Sequence, residues 1–343
     1  MMKNKVTVQQ IADLAGVSKF AVSRALSGKS GVSDQTREMI LKTAGQLGYF
    51  KNNPSYYANE PQEHDAEVTK GTIVVLFPNI RYQNHDSVYW GPIFDGISSR
   101  LNQRGLDIIT LTEPTGERVF SLLNPKAIQG IITLGEISTQ ILLEIKRLDI
   151  PVVMVDHQDP AYHCDTVFVD NFACMRELMM KLISKGYKDF QFVGNISYAP
   201  SFYERWIAYR SALDEYGIKS EQHQLLISAD TEDEHYKIIR QISQEQLPEV
   251  FVCANDSNAM YTIQVLKEKG IDVPNECSVT GFDNTHGPDS SFGVHPSITT
   301  VDVNKEQLGR RAVDKLLWRI ANRQSNIEKT LIYGEVIIRE STR

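Results

Sequence analysis

Several common signatures of enzymes and metal sites are missing from this 343-residue sequence. The four cysteines form no CxxC pair, which argues against a zinc site and against a disulfide framework. The eight histidines show no HxxxH or HxH spacing, so we expect no metal ligands. Neither GxGxxG nor GxSxG is present, and dinucleotide-binding and hydrolase enzymes need such turns. The sequence therefore predicts no catalytic residues and no cofactor.

Long apolar runs are also missing. No stretch approaches the ~20 apolar residues of a membrane-spanning helix. The N-terminal sequence MMKNKVTVQQIADLAG lacks the apolar segment of a secretory signal. These absences predict a cytoplasmic protein with no membrane partner.

The charge is unevenly distributed along the chain. The net charge is -7, yet residues 1–57 hold eight Lys and Arg against three Asp and Glu, which leaves -12 for the remainder. A basic head on an acidic body indicates that only the head approaches a polyanion.

The head has the pattern of three short capped helices. Thr7 with Gln10 forms a capping box for a helix over 8–15, Ser18 caps a second over 19–27, and Ser33 caps a third over 34–47. Apolar residues at helical spacing predict a small shared core. They are Ile11, Leu14, Val17, Val22, Leu26, Ile40, Leu41, Ala44 and Leu47.

The tripeptide Gly28-Lys29-Ser30 resembles the end of a nucleotide-binding P-loop. A P-loop also needs a glycine five residues earlier, where this chain has Ser23, and it needs a preceding strand rather than a helix. Both requirements fail, so we interpret the tripeptide as a helix end and a basic loop.

A helix-turn-helix unit fits the same segment better. Its second helix would present Lys19, Phe20, Ser23 and Arg24 on one outward face. Arginine suits a bidentate contact with guanine O6 and N7, and Phe20 suits a thymine methyl. The alternative from the pattern alone is a small helical bundle with a solvated basic face.

Beyond a polar linker over residues 52–71, apolar strands alternate with amphipathic helices. This pattern predicts parallel sheets covered on both faces, and the number of strands predicts two doubly wound lobes. The strands are predicted at 72–78, 107–112, 130–135, 151–157, 166–170, 190–195, 224–228, 250–256 and 278–284, with a last one near the C-terminus. The helices are predicted near 88–104, 138–148, 171–186, 202–216, 233–244, 257–269 and 304–322.

These segments resemble the LacI/GalR family of transcription regulators. Residues 6–52 carry the run VSxxxVSRxLxG, a later TRExI and a closing LGY, which together are specific to the family headpiece. The resemblance continues over nearly the whole chain, in RxxAY (205–209), CAND (253–256), SVTGFDN (278–284) and PSITTV (296–301).

The resemblance implies a small all-α helix-turn-helix headpiece followed by an α/β bilobal body like that of periplasmic binding proteins. The implied domains are a DNA-binding domain over 1–50, a hinge over 51–70, and an effector-binding and dimerisation domain over 71–343. Its N-lobe would span about 71–168 and 299–325, and its C-lobe about 169–298 and 326–343.

The family's DNA contacts correspond to specific positions of this chain. Lys19 and Phe20 match the pair that selects operator bases, and Arg24 matches the helix arginine. The other matching DNA-binding positions are Thr7, Ser18, Ser23, Tyr49 and Asn52. The implied partners are double-stranded operator DNA and a second copy of the chain.

The hinge departs from the family pattern. Alanine stands at Ala58, where the family has a leucine that wedges into the minor groove. We therefore expect weaker central kinking of the DNA, or substitution of the leucine by Tyr56 or Tyr57.

The family resemblance also implies a small-molecule effector, a sugar or sugar derivative, between the lobes and beyond the carboxyl ends of the strands. The candidate residues are Asn79, Trp90, Asp156, Ser201, Arg205, Asn255 and Asp283. Each type of residue also has a structural explanation: aspartate or asparagine as a helix cap, arginine as a surface ion pair, tryptophan as core.

Two other functions stay open on the sequence. A cytoplasmic α/β enzyme is one, because the members of a catalytic triad can lie far apart in sequence. A sugar-binding protein with an accessory basic head is the other, although it leaves the head unexplained. Neither repressor nor activator is indicated, and the direction of the effector response is not encoded in any motif.

Overall fold

We analysed a computed structural model of the chain, which describes residues 7–27, 29–46, 71–78, 87–112, 125–285 and 296–343. The chain divides into two compact units, Met1–Asp65 and Ala66–Arg343. We call them the headpiece and the body and treat each by itself.

The headpiece contains α1 (Val8–Ala15), α2 (Lys19–Leu26) and α3 (Asp34–Gln46), which confirms the three predicted helices. The Thr7 capping box is present, since Gln10 N donates to Thr7 Oγ1 and Thr7 N donates to Gln10 Oε1. Ser18 Oγ accepts from the backbone N–H of Ala21, and Ser33 Oγ accepts from that of Thr36, each at 3.2 Å. These caps satisfy backbone donors that a helix start leaves without partners.

The headpiece core differs from the prediction at one position. Leu14 is 63% exposed, whereas we expected it inside. The buried stripe of α1 is formed by Ile11 and Ala12 with Val8 and Ala15 beside them, and at about 100° per residue Leu14 lies roughly 110° from its centre. Leu47 and the end of the third predicted helix lie outside the described residues.

The body contains eleven strands and seven helices in the described ranges. They are β1 (Thr72–Phe77), α4 (Trp90–Gln103), β2 (Asp107–Thr112), β3 (Ile128–Leu134), α5 (Thr139–Arg147), β4 (Val152–Val155), β5 (Asp165–Val169), α6 (Asn171–Ser184), β6 (Phe190–Val193), α7 (Pro200–Glu215), α8 (Glu232–Gln241), β7 (Val250–Cys253), α9 (Asp256–Glu268), β8 (Ser278–Thr280), β9 (Thr300–Asp302), α10 (Lys305–Ala321), β10 (Lys329–Ile332) and β11 (Glu335–Ile337).

The N-lobe is built on a six-stranded parallel sheet with the order β10-β5-β4-β3-β1-β2. Alternate residues of its strands face opposite sides. Ile73 and Val75 pack into a core with α4 and α10, while Val74 and Leu76 pack into another with α5. Both faces are therefore covered, as the apolar strands predicted.

Helices α4 and α10 approach each other closely at two glycines. A Cβ on Gly309 would lie 2.0 Å from the carbonyl oxygen of Ile93, and a Cβ on Gly96 would lie 2.1 Å from that of Glu306. Because the opposing atoms are backbone atoms, neither site has room for a side chain.

The C-lobe is built on the parallel sheet β6-β7-β8. Strand β9 runs beside β8, since Gly281 N donates to Thr299 O and Asp283 N donates to Val301 O. Strand β11 then pairs with β9 in antiparallel fashion. The chain therefore crosses between the lobes after β5, after β9 and after β10.

Three expectations about this region were wrong. Residues 224–228 were expected as a strand but contain a 3-10 turn, Gln224–Ile227. The side-chain amide of Gln222 occupies the edge of β6 instead, because it accepts from Phe192 N and donates to Phe192 O.

The other two concern the lobe boundaries. Strand β9 belongs with the C-lobe, not the N-lobe, since it lies beside β8. Strand β10 belongs with the N-lobe, not the C-lobe, since Lys329 to Ile332 pair in parallel with β5. No helix in the described ranges is long and apolar enough to cross a membrane.

Candidate functional site

A buried ion pair lies at the carboxyl end of the C-lobe sheet. Arg205, in the second turn of α7, is 2% exposed, and its Nη2 donates to Asp283 Oδ1 at 2.9 Å. Its Nη1 donates to the carbonyl oxygen of Ala254, just after β7, at 2.7 Å. The guanidinium is stacked over the ring of Phe282 at 3.7 Å from its centroid. The position of Arg205 is thus fixed by two strand ends and one aromatic ring.

Asn171 is a third anchor for Arg205, and the sequence did not single it out. Its Oδ1 accepts from Arg205 Nε at 2.9 Å, and its Nδ2 donates to Glu204 Oε2 at 3.0 Å. Asn171 is 1% exposed and is the first residue of α6, immediately after the chain crosses from the N-lobe. A polar residue following a strand-closing aspartate, Asp170, was the only signal available in the sequence.

Asp156 of the N-lobe interacts electrostatically with this ion pair, and we call the region between the lobes beside Asp156, Arg205 and Asp283 the cleft. Asp156 follows β4, is half-buried, and accepts a hydrogen bond from Tyr89 Oη at 3.2 Å. Burial raises the pKa of Asp156 to about 7, with the positive charge of Arg205 lowering it and the negative charge of Asp283 raising it. Burial also raises the pKa of Tyr89, and the Asp156 carboxylate adds to that effect. The charges of both lobes therefore act on one another across the cleft.

The remaining sequence candidates differ in their surroundings. Trp90, at the start of α4, is half-buried and packs edge-on against Tyr89 with centroids 4.9 Å apart. Ser201 is half-exposed at the start of α7. Asn255 caps α9, since its Oδ1 accepts from Asn258 N at 2.9 Å, which is the structural explanation considered above. Asn79 lies outside the described residues.

The segment that carries Asp283 has an unusual backbone. Asp283 has φ +96° and Asn284 has φ +50°, both in the left-handed region that non-glycine residues rarely adopt. Lys305 Nζ, at the start of α10, donates to the carbonyl oxygen of Asp283 at 2.5 Å and to that of Asn284 at 3.4 Å. Arg339 Nη2 donates to Asn284 Oδ1 at 2.8 Å. Charged donors from separate elements thus hold this segment in place, Lys305 through backbone carbonyls and Arg339 through the Asn284 side chain.

Asp256 supports the same segment from the other side. Its carboxylate accepts from Thr300 Oγ1 at 2.6 Å and from Thr285 N at 2.7 Å, and the residue is 1% exposed. Burial raises the pKa of Asp256 to about 6. Among the residues that the structure describes, no group of three or more His, Cys, Asp or Glu side chains is placed to hold a metal ion.

In the headpiece, α2 presents an exposed face. Lys19, Phe20 and Ser23 are exposed, and Phe20 leaves 68% of its surface open. Arg24 is half-buried, with its Nε donating to the carbonyl oxygen of Ser30 at 2.6 Å and its guanidinium 5.2 Å from the Phe20 ring centroid. The hydroxyls of Thr7 and Ser18 serve as helix caps.

Helix α2 is also held from α3. Arg37 Nη1 donates to the carbonyl oxygen of Ala25 at 3.0 Å, and its Nη2 donates to that of Lys29 at 2.5 Å. Arg37 thereby satisfies carbonyls at the end of α2 and fixes the following loop. The other DNA and hinge candidates, Tyr49, Asn52, Tyr56, Tyr57 and Ala58, lie outside the described residues.

Comparisons with known proteins agree with this architecture. Residues 7–52 match the family model for bacterial regulatory proteins of the lacI family, and residues 180–342 match that for a periplasmic binding protein-like domain. The transcriptional regulator GalR of Lacticaseibacillus casei is 27% identical over 98% of this chain and 99% of its own length.

Two solved structures share the fold over nearly the full chain. A transcriptional regulator CelR–cellobiose complex has a TM-score of 0.65 at 23% identity and covers 98% of this chain and 100% of its own. The lac repressor dimer bound to operator and the anti-inducer ONPF has a TM-score of 0.61 at 21% identity and covers 99% of both chains. The chain thus combines a headpiece of the lacI family of bacterial regulatory proteins with a periplasmic binding protein-like bilobal body, and the GalR relative that it matches over nearly its full length is a transcriptional regulator.

Proposed function

We propose that the chain binds a pseudo-palindromic operator as a homodimer and responds to a sugar or sugar derivative held between its lobes. The observation that supports the effector site best is the buried Arg205–Asp283 pair at the carboxyl ends of the C-lobe strands. Asp156 faces it from the N-lobe. The dimeric, operator-bound lac repressor supports the DNA-bound form.

DNA is read by α2 in this proposal. Lys19, Phe20, Ser23 and Arg24 enter the major groove, while Thr7 and Ser18 lie near the phosphates. The proposal includes Tyr49 and Asn52 as backbone contacts and residues 51–70 as the hinge. Two headpieces of a dimer would then occupy adjacent half-sites.

The effector is bound by hydroxyl recognition in this proposal. Arg205 donates hydrogen bonds, whereas Asp156 and Asp283 accept them, and a polyhydroxylated ring offers both kinds of partner. Trp90 supplies an apolar wall, and Ser201 and Asn79 lie at the margin. Asn255 is the weakest member of the set, because its side-chain oxygen already caps α9.

The contacts of the ion pair suggest how a ligand acts on the lobes. Arg205 contacts Asn171 beside one crossing between the lobes, and the backbone of Asp283 contacts Val301 beside another. A ligand that engages the pair therefore acts on groups attached to two crossings. It shifts the lobe arrangement only by the difference in its affinity for the two arrangements.

The effector site is tested by thermal unfolding of the full chain with a panel of neutral sugars and amino sugars, including cellobiose and D-ribose. A sugar held at 100 times its dissociation constant should stabilise the chain by about 2.7 kcal/mol. The Asp283→Asn variant should lose this stabilisation, whereas the surface variant Glu268→Gln should keep it. A sugar that stabilises wild type and Asp283→Asn equally would place the effector elsewhere.

The DNA site is tested by in vitro selection of duplexes, followed by binding titrations at several salt concentrations. Arg24→Ala should weaken binding to the selected duplex by about 1–3 kcal/mol and relax the base preference at one position per half-site. Lys19→Ala should lower the salt dependence if Lys19 contacts a phosphate. Equal affinity for selected and random duplexes at moderate salt would refute the proposal.

A further inference from the structure

Phe20 is an apolar side chain placed where a polar one would be expected. It leaves 68% of its surface exposed on α2, although burying a phenylalanine side chain normally stabilises the folded protein. The core side of the helix is formed by Val22, Ala25 and Leu26, and Phe20 is not part of it. Its ring is therefore available to an apolar group on a binding partner.

Arg24 is held next to this ring before any partner binds. Its Nε donates to the Ser30 carbonyl, and its guanidinium lies beside Gly31, where a Cβ would come within 3.1 Å of Nε. Gly31 also has φ +104°, a conformation that favours glycine. Since the Ser30 carbonyl takes the Nε hydrogen, the Nη1 and Nη2 hydrogens supply the pair for a bidentate contact. The side-chain entropy of ordering Arg24 is thus largely lost before DNA binds.

The chemistry of the major groove narrows what these two side chains can read. The apolar group on a base edge there is the C5-methyl of thymine, which 5-methylcytosine also carries, whereas guanine offers O6 and N7 to arginine. The guanidinium carbon lies 5.2 Å from the Phe20 ring centroid. Successive bases of one strand are about 3.4 Å apart, so two groups this close reach neighbouring base pairs.

We propose that Phe20 and Arg24 act as one unit that reads a 5-methylpyrimidine next to a guanine in each operator half-site. This inference rests on the proposed function and adds the chemical identity of one base step. Binding then depends on the methyl group itself, so 5-methylcytosine replaces thymine at that position better than cytosine does.

The test uses the full chain and a pool of random duplexes of about 20 base pairs, enough for two half-sites. After selection, each thymine next to a guanine is replaced by uracil, which removes only the methyl group, and affinities are compared at one salt concentration. One of these replacements should weaken binding about fourfold, equivalent to about 0.8 kcal/mol for one buried methyl. Replacing the neighbouring guanine by 7-deazaguanine should weaken it further, because N7 is lost.

Three variants assign these effects to side chains. Phe20→Ala should abolish the difference between thymine and uracil while keeping the response to 7-deazaguanine. Arg24→Met keeps much of the length of the side chain but removes its hydrogen-bond donors, so it should lose the response to 7-deazaguanine. The control Leu14→Ala removes a similarly exposed apolar side chain, 63% exposed on α1, and should leave the fourfold difference unchanged.

The outcomes separate this inference from the function on which it rests. A thymine–uracil difference that disappears only in Phe20→Ala supports the reading unit. If binding is specific but every uracil replacement is neutral, or if Phe20→Ala keeps the thymine–uracil difference, the inference is overturned while the proposed function stands. Selection that enriches no sequence overturns the proposed function together with the inference.

Discussion

Removing the charge of Arg205 tests whether the cleft is organised by its ion pair. The side chains of Arg205 and Asp283 are 3% and 11% exposed, so water can replace little of what the substitution removes. We expect Arg205→Met, which keeps the bulk and removes the donors, to destabilise the body strongly. Asp283→Asn should cost less, because an amide oxygen still accepts from Arg205 and asparagine tolerates the φ of +96°.

The magnitude follows from the groups that Arg205→Met leaves behind. Asp283 becomes a buried carboxylate without its counter-charge, and Asn171 Oδ1 and the Ala254 carbonyl each lose a donor. Breaking a buried pair from one side costs about 3–5 kcal/mol. This cost is a large fraction of the total free energy of unfolding, which is about 5–15 kcal/mol for a typical protein. The double variant should be less destabilised than the sum of the two singles, with a coupling of about 1–3 kcal/mol.

The assay is urea unfolding of the full chain, followed by circular dichroism, for the wild type, both single variants and the double variant. The control is Arg240→Met, since Arg240 pairs with Glu268 at 3.8 Å and the two side chains are 63% and 40% exposed. An exposed pair of this kind contributes less than about 1 kcal/mol. The reasoning is refuted if Arg205→Met costs no more than Arg240→Met, or if the two cleft substitutions are additive.

Three further substitutions test the cleft, a helix cap and a helix contact. The pKa of Asp156 is raised from 3.8 to about 7, so its contribution to stability is present below pH ~4 and is lost as the pH rises through 7. The Asp156→Asn variant should therefore have a higher urea midpoint of unfolding than the wild type at pH 8, and the same midpoint at pH 4. Thr7→Ala should destabilise the headpiece by about 1 kcal/mol in thermal melts, and an unchanged midpoint would contradict the capping box. Gly309→Ala should cost about 3 kcal/mol in urea, because its Cβ meets the Ile93 carbonyl; wild-type stability would show that α4 and α10 can separate freely.

Local chemistry made the headpiece predictable from its sequence. Thr7, Ser18 and Ser33 cap helices through hydrogen bonds that span three residues, so each cap can be inferred from a short stretch of sequence. The apolar strands of the body were likewise predicted, since burial on both faces gives an uninterrupted apolar run. The side of a helix that faces the core depends on its neighbours, and the prediction that Leu14 is buried was wrong for that reason.

Contacts between residues far apart in the sequence could not be predicted in this way. Residues 224–227 have the apolar composition of a strand, but the amide of Gln222 already satisfies the backbone of Phe192 that such a strand would pair with. The predicted lobe assignments of β9 and β10 were wrong for a similar reason. Strand β10 joins β5 through main-chain bonds that no periodicity encodes.

The cleft residues show the same division between local and distant information. Arg205, Asp283 and Asp156 were predicted because strand ends and family motifs mark them, whereas Tyr89, Asn171 and Lys305 were missed. Tyr89 and Lys305 act through partners 67 and 22 residues away in the sequence, and Asn171 through one 34 residues away.

The missed residues are the ones that join the site to the rest of the body. Lys305 begins α10 of the N-lobe and holds the carbonyls of Asp283 and Asn284 in the C-lobe, while Asn171 joins Arg205 to the start of α6. In the proposed effector site, a ligand that forms hydrogen bonds with Arg205 or Asp283 would therefore compete with contacts that span the lobes, and its binding free energy would include the cost of rearranging them. Residues that bind a ligand can be inferred from the chemistry of the ligand, but residues that transmit its binding are defined only by the contacts that the fold creates.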